Sequence, residues 1–396
     1  MPLTLFKEKS PTVYRYYAFT FFSGLVFYTA VLVPFYTQWG GISLTQVQIL
    51  QTWFMISALL LEIPTGVVAD KYGRKHSVAL GSITLAVAFI LYGTIPRFEM
   101  FLVCEFLFGL GYALISGAGD ALLYDTLKDE DRENETKQIF GKSQSIGLAS
   151  GIIATIAGSI IASQFGLNIP MILSAIPVVI AAIFIWSIKE PRYKETDAKS
   201  PNYFSLAKNG IVYLSTHKIL RLLALDSILV GAAAYFLVWL YQPLLQVIAF
   251  PIFYFGFIRA GLTLAQIGVS SNFSLFEKLF GSESKFTKGS ALIVTATFFL
   301  AAAFPNIITI LFFVVIGGGF GTSRMTFMIT NMNKHIPSDQ RATIISSITM
   351  FQRLVLAVCN PIVGYIATVS LRGALVVVGV LPLLSLLFSY KEKEQS

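Results

Sequence analysis

Apolar stretches of roughly twenty residues recur along the whole chain, divided by short polar breaks. A helix rises about 1.5 Å per residue, so about twenty apolar residues cross a hydrocarbon core of about 30 Å. The pattern predicts twelve such helices, over 13–36, 45–69, 77–95, 98–124, 141–164, 168–188, 219–245, 250–276, 288–304, 306–331, 342–368 and 371–390. The runs are continuous. A membrane β-barrel is excluded, because its strands alternate polar and apolar positions.

The one long polar interruption, 189–218, falls near the middle. It predicts an N-terminal six-helix bundle over 1–188, a linker over 189–218 and a C-terminal six-helix bundle over 219–396. A shift of 206 residues places Arg15 on Arg221, Gly111 on Gly317, Asp125 on Asn331 and Gly158 on Gly364. The bundles therefore read as two parallel repeats, an arrangement that puts a substrate site at the midplane between halves.

Composition supports lipid as the solvent. Of 396 residues, 55% are hydrophobic and 13% charged, against roughly 25% charged in soluble domains. The net charge of +8 invites an acidic partner such as nucleic acid, but its distribution argues otherwise. Arg259, Arg324 and Arg353 lie well within spans, Arg97 and Arg372 in or at the edge of short loops on one side, and the other Lys and Arg in segments or at span ends on the opposite side. That is the positive-inside bias. It predicts a multi-pass protein of the cell membrane with both termini cytoplasmic, and no nucleic-acid partner.

Several chemistries are disfavoured. Cys104 and Cys359 fall inside spans, so no disulfide framework is expected. His76, His217 and His335 are far apart, and no metal site is expected. Gly141-Lys142-Ser143 lacks the preceding glycine of a phosphate loop, position 136 being Thr. With no ATP module, no cofactor motif and no nucleophile–base pair, the chain does not read as an enzyme. Any uphill movement of a solute must draw on an ion gradient or a partner.

Residues 66–75 read Gly-Val-Val-Ala-Asp-Lys-Tyr-Gly-Arg-Lys, a charge-dense turn between two apolar spans. This segment resembles the loop joining the second and third helices of major facilitator superfamily transporters, Gly-x-x-x-Asp-x-x-Gly-Arg-Lys/Arg. Gly66, Asp70, Gly73, Arg74 and Lys75 match that pattern. The corresponding stretch of the second half, Glu277-Lys278-Leu279-Phe280-Gly281, departs from it. The resemblance implies the all-α, twelve-helix fold of that family and alternating access. It also implies a conformational latch in which Arg74 pairs with Asp125 and Asp70 sits against the start of the eleventh span. Drug/proton antiporters of the superfamily carry a glycine–proline motif in the fifth helix. Here Gly147–Gly158 has the small residues without the proline, and Pro361 follows Asn360 in the eleventh span instead.

Away from the span ends, seven Asp, Glu, Lys or Arg residues fall within spans: Glu62, Glu105, Asp120, Asp226, Arg259, Arg324 and Arg353. Each costs roughly 2.5–3.5 kcal/mol at mid-membrane on insertion scales unless it meets water or a partner. In the fourth span, Glu105, Gly109, Tyr112, Ser116 and Asp120 share one helical face. Arg259, Thr263, Gln266 and Ser270 do the same in the eighth, and Ser346, Thr349, Arg353 and Asn360 line the eleventh. Such stripes fit a wet cavity wall, although small polar residues also bond helix to helix. A carboxylate can take and release a proton, whereas arginine stays charged. Proton coupling is therefore assigned to Asp120 and Glu105, with Asp226 in reserve and Glu62 shared with the loop network. The substrate cavity is assigned to Arg259, Arg353, Arg324, Tyr112, Ser116, Gln266 and Asn360. Arg259 and Arg353 would hold an anionic group or lock onto Glu105 or Asp226. The function expected is a monomeric, proton-coupled secondary transporter of a small organic solute, an exporter by antiport. The alternative is proton-driven uptake of an anionic or zwitterionic nutrient. A non-transporting scaffold on the same fold has no use for charges held at mid-membrane.

Overall fold

The computed structural model describes residues 10–191, 213, 216–338 and 340–388. Most of the stretch expected as a linker, 189–218, lies outside them. Among the described residues the chain is wholly helical. Eleven helices are long and apolar enough to cross a membrane, and a bent pair makes a twelfth span. We number them α1 (Pro11–Ala30 with Leu32–Trp39), α2 (Leu44–Tyr72), α3 (Arg74–Thr94), α4 (Phe98–Asp129), α5 (Glu133–Phe165) and α6 (Ile169–Trp186). The second set is α7 (Lys218–Val247), α8 (Ile252–Ser270), α9 (Glu283–Ala303), α10 (Ile307–Lys334), α11 (Thr343–Val369) and α12 (Leu371–Phe388).

The sequence predicted these spans, and two of them differ instructively. The first span is not straight: its two pieces meet at 60°. Val31, at the break, leaves helical geometry (φ −125°, ψ 19°), and the second piece ends in a wide π-helical turn, Phe35–Trp39. The eighth span, expected through 276, stops at Ser270. There the Asn272 side chain donates to the Gly268 carbonyl at 2.8 Å, and a short helix, Phe273–Phe280, follows. Ser and Asn compete for backbone groups in this way and end helices. Other starts are fixed by conventional caps. The Ser10, Ser282 and Ser370 hydroxyls accept backbone N–H groups of the first turn, and Asn306 and Thr309 form a capping box.

Contacts divide the chain into two compact units. The first holds the described parts of Met1–Gly41 and Trp53–Ser200, and the second those of Ile42–Thr52 and Pro201–Ser396. In the first unit, α3 packs along α4 and α6, and α1 along α5 and α6. Gly158 of α5 permits the closest of these approaches, because a Cβ there would collide with the Phe27 carbonyl of α1. The core at one end joins Val13 and Phe19 of α1, Val78 of α3, Leu122 and Leu127 of α4, and Ile185 of α6. In the second unit, α9 packs along α12, α7 along α10 and α12, and α8 along α10. Its core joins Leu220 and Leu223 of α7, Phe286 of α9, Phe327 and Met332 of α10, and Ile344 of α11. The 42–52 end of α2 belongs with this unit. The Thr45 backbone N–H and hydroxyl meet the Thr368 hydroxyl at 2.9 and 2.8 Å, and the Thr52 hydroxyl donates to the Ala357 carbonyl at 2.8 Å.

Candidate functional site

The charged end of the first unit is built around the 66–75 turn. Gly66 is half-buried and Asp70 exposed on the last turns of α2. Gly73 then takes φ +101°, a conformation glycine alone adopts freely, and lets α3 start at Arg74. Glu190, just beyond α6, supplies the cap that α3 lacks from its own sequence. Its two oxygens accept the Arg74 and Lys75 backbone N–H groups at 2.6 and 3.1 Å. A carboxylate satisfies the orphan donors of a helix start and complements its dipole. A side chain at Gly73 would strike this carboxylate. The Arg74 guanidinium pairs with Asp125 of α4 and donates to the Ala121 carbonyl at 2.8 Å. Lys75 reaches the Ile188 carbonyl at 3.2 Å, and Arg15 of α1 reaches the Ser187 carbonyl at 2.7 Å. The structure thus ties α1, α3, α4 and the end of α6 together at one place.

Deeper in the same unit, the polar face of α4 changes character along its length. Tyr112 and Asp120 are exposed and Ser116 is half-buried. Tyr16 of α1 lies beside Asp120. Glu105, on the same face, is not on an open wall as the spacing implied: it is 4% exposed. The bend in α1 lays Phe35, Tyr36 and Trp39 over it. Tyr36 and Tyr92 donate to one Glu105 oxygen at 3.0 and 2.8 Å, and their own hydroxyls lie 3.0 Å apart. Around them Tyr92 stacks on Phe101 at 4.9 Å and Phe35 on Trp39 at 4.9 Å. Glu62 is half-buried on α2.

The second unit holds its charges differently. Arg324, expected in the substrate cavity, is buried, as is Asp226, and the two are paired. Arg324 Nη2 meets both Asp226 oxygens at 2.7 Å and Nε donates at 3.2 Å. Its Nη1 donates to the Thr287 carbonyl and the Ser290 hydroxyl of α9. Every face of the guanidinium is thereby engaged, as a buried charge requires. The expectation that Asp226 would lock Arg259 or Arg353 is corrected: Arg324 of α10 is its partner. Arg259 is half-buried on α8, with Nη1 enclosed and making no hydrogen bond. Tyr241 of α7 lies close enough to feel its charge, and Gln242 donates to the Tyr241 hydroxyl at 3.1 Å. Gln266 is half-buried with its backbone carbonyl accepting the Ser323 hydroxyl at 3.0 Å. Arg353 is exposed on α11, whereas Asn360, seven residues on, is fully buried.

Sequence reasoning missed Tyr36, Tyr92, Glu190 and Ser290. Tyrosines inside spans were a usable signal, since a buried hydroxyl needs a partner. Glu190 gave no signal, because it sits beyond the end of α6. Among the described residues no group of three His, Cys, Asp or Glu could hold a metal ion.

The fold and these clusters define a multi-pass helical membrane protein. The chain matches the model of the Major Facilitator Superfamily over residues 16–359 and belongs to that family. Over 212 residues it is 26% identical to the MFS-type transporter YxaM of Bacillus subtilis, covering 52% of this chain and 51% of that protein. Over 176 residues it is 23% identical to the MFS-type transporter MJ1560 of Methanocaldococcus jannaschii, covering 44% of each. The chain thus spans about half or less of the length of these curated relatives. Among solved structures, a point mutant of the nucleoside transporter NupG superposes with a TM-score of 0.77 at 13% identity, over 95% of this chain and 98% of that one. A bacterial homologue of the human lysosomal transporter Spinster, inward-facing and occupied, gives 0.76 at 15% identity, over 96% and 94%. These likenesses establish the shared fold.

Proposed function

We propose that the protein is a secondary transporter that moves a small organic solute by alternating access, driven by protons. Both termini lie in the cytoplasm, the two six-helix bundles (1–188 and 219–396, joined by 189–218) act as the moving bodies, and the monomer is the working unit. Asp120 carries the reading. It is an exposed carboxylate on a membrane-crossing helix, beside the tyrosine Tyr16. An exposed carboxylate can take a proton from water and release it again, which an arginine cannot. Asp120 and Glu105 handle the proton. The Arg74–Asp125 pair, with Gly66, Asp70, Gly73 and Lys75, acts as the latch. Tyr112 and Ser116 line the path of the solute beside Asp120.

The direction proposed is export by antiport. Proton-driven uptake of an anionic or zwitterionic solute is the second reading, and one observation favours it: Arg259 Nη1 is enclosed without a hydrogen bond. A carboxylate or phosphate would complete it. Gln266, Arg353 and Asn360 stand with it as candidate contacts.

The test is flux in proteoliposomes under an imposed pH gradient, run in both directions with a panel of organic cations, organic anions and nucleosides. The proposal expects pH-driven accumulation of at least one class, and its loss in Asp120→Asn with solute exchange retained. Flux indifferent to the gradient for a solute that the protein demonstrably exchanges would refute proton coupling.

A further inference from the structure

We infer that Glu105 is a proton-binding site whose proton closes a ring of three hydrogen bonds with Tyr36 and Tyr92, clasping the bent end of α1. The inference deepens the proton-coupled reading above and rests on it. It starts from a count of hydrogens. Three oxygens, Glu105 Oε1, Tyr36 Oη and Tyr92 Oη, form a triangle with edges of 3.0, 2.8 and 3.0 Å. Each edge has hydrogen-bond length. Two tyrosines bring two hydroxyl hydrogens. With an ionised carboxylate two hydrogens serve three edges, so one edge of the triangle is left with two oxygens facing each other and no hydrogen between them. A neutral carboxyl brings the third hydrogen. Oε1 then donates to one tyrosine, that tyrosine to the other, and the second back to Oε1.

The triangle is enclosed. Glu105, Tyr36 and Tyr92 are buried. The rings of Phe35, Trp39 and Phe101 close over them. Titratable groups that feel the Glu105 charge include Tyr28 and Tyr36 from α1, Tyr92 from α3, and Cys104 on α4 itself. Each is neutral in its ordinary form at neutral pH.

The mechanical consequence follows from where Tyr36 sits. It belongs to the π-helical turn Phe35–Trp39, on the piece of α1 beyond the 60° bend. π-turns are strained relative to α-helix and recur where a helix must adapt. The ring ties this turn to α3 and α4. Losing the proton removes one edge of the ring and loosens the turn. Because the carboxyl is enclosed, a proton reaches it only when the turn lifts. Protonation and closure of this segment are therefore one coupled event.

The test uses purified full-length protein in lipid nanodiscs without any solute. Infrared difference spectra between acid and alkaline pH report the C=O stretch of protonated carboxyls. The expected result is a protonated-carboxyl band in the wild type that is absent in Glu105→Gln. Spin labels at Gln38 and Thr94, with Cys104 and Cys359 replaced by alanine, report the α1–α3 distance. That distance is expected to change with pH in the parent and to stay fixed in Glu105→Gln, whose amide stands in for the neutral acid. No Glu105 band at any pH, or an undiminished distance response in Glu105→Gln, would overturn the inference. Tyr92→Phe keeps the ring stacking and guards against a folding artefact. It is expected to shift the frequency of the Glu105 band, and an unshifted band would also overturn the inference. Proton-driven flux is measured in parallel. Gradient-driven flux without the Glu105 band sinks the ring alone. The band and distance response without gradient-driven flux sink proton coupling and leave the ring standing.

Discussion

The fourth helix of each unit carries a charge that ties it to its neighbours, with opposite sign and at different depth. In the first unit α4 supplies the acid, Asp125, and α3 the base, Arg74. Their side chains are 3% and 22% exposed. In the second unit α10 supplies the base, Arg324, and α7 the acid, Asp226, at 3% and 2%. Under the 206-residue shift Arg324 falls on Ala118, two turns before Asp125. The repeat preserves helix order but not the charges. An ion pair with one partner reaching water can trade that partner for water at little cost, whereas a fully buried pair cannot. On the proposed account the first unit holds charges that change partners during the cycle, and the second holds a pair that never opens.

The sharpest way to break this comparison is to remove the buried base. Arg324→Ala leaves Asp226 enclosed and unpaired, which is expected to cost about 3–5 kcal/mol. It should appear as a large fall in melting temperature or in folded yield. The double variant Asp226→Asn with Arg324→Met should recover much of the loss. A single variant as stable as the wild type would show that the pair is not a lock.

The repeat-related glycines give the next effect. At Gly158 a methyl group would meet the Phe27 carbonyl of α1, and at Gly364 it would meet Gln48 and the Leu44 carbonyl at the far end of α2. Both alanine variants overpack, at about 1–3 kcal/mol each. Gly158→Ala meets backbone alone and should be the worse in a thermal melt. Equal or reversed losses would mean that the flexible Gln48 side chain does not relieve the strain at Gly364.

Smaller changes are expected at the latch. Arg74→Ala strips Asp125 of its guanidinium partner, and Glu190→Ala removes the α3 cap. The cap is worth about 1 kcal/mol by comparison with other helix caps. Glu190→Ala should melt only slightly below wild type, whereas Arg74→Ala takes the guanidinium from the buried Asp125, should melt further down, and should slow solute exchange several-fold. Unchanged exchange in Arg74→Ala would remove the latch from the mechanism.

Much of this architecture was legible in the sequence, because membrane helices announce themselves by length and continuity of apolar residues. The family followed from ten residues, 66–75. The site was less legible. Helical spacing put Glu105 and Asp120 on one face of α4, which they share, but spacing says nothing about what covers a face. The bend at Val31 buries Glu105, and no local signal marks it beyond Pro34 and the aromatics that follow. The Asp226–Arg324 pair joins helices 98 positions apart in the chain. A sequence read one span at a time supplied the two charges without their pairing. The Glu190 cap depends on where α6 ends relative to α3, a purely tertiary fact.

Hydrogen exchange resolved by mass spectrometry, on the full chain in nanodiscs and corrected for intrinsic rates, tests the contrast between the two units most directly. The account predicts that peptides covering 32–39 lose protection as pH rises, while peptides covering 224–230 and 320–328 keep theirs throughout. Equal loss in both units, or a loss confined to the Asp226–Arg324 region, would contradict it.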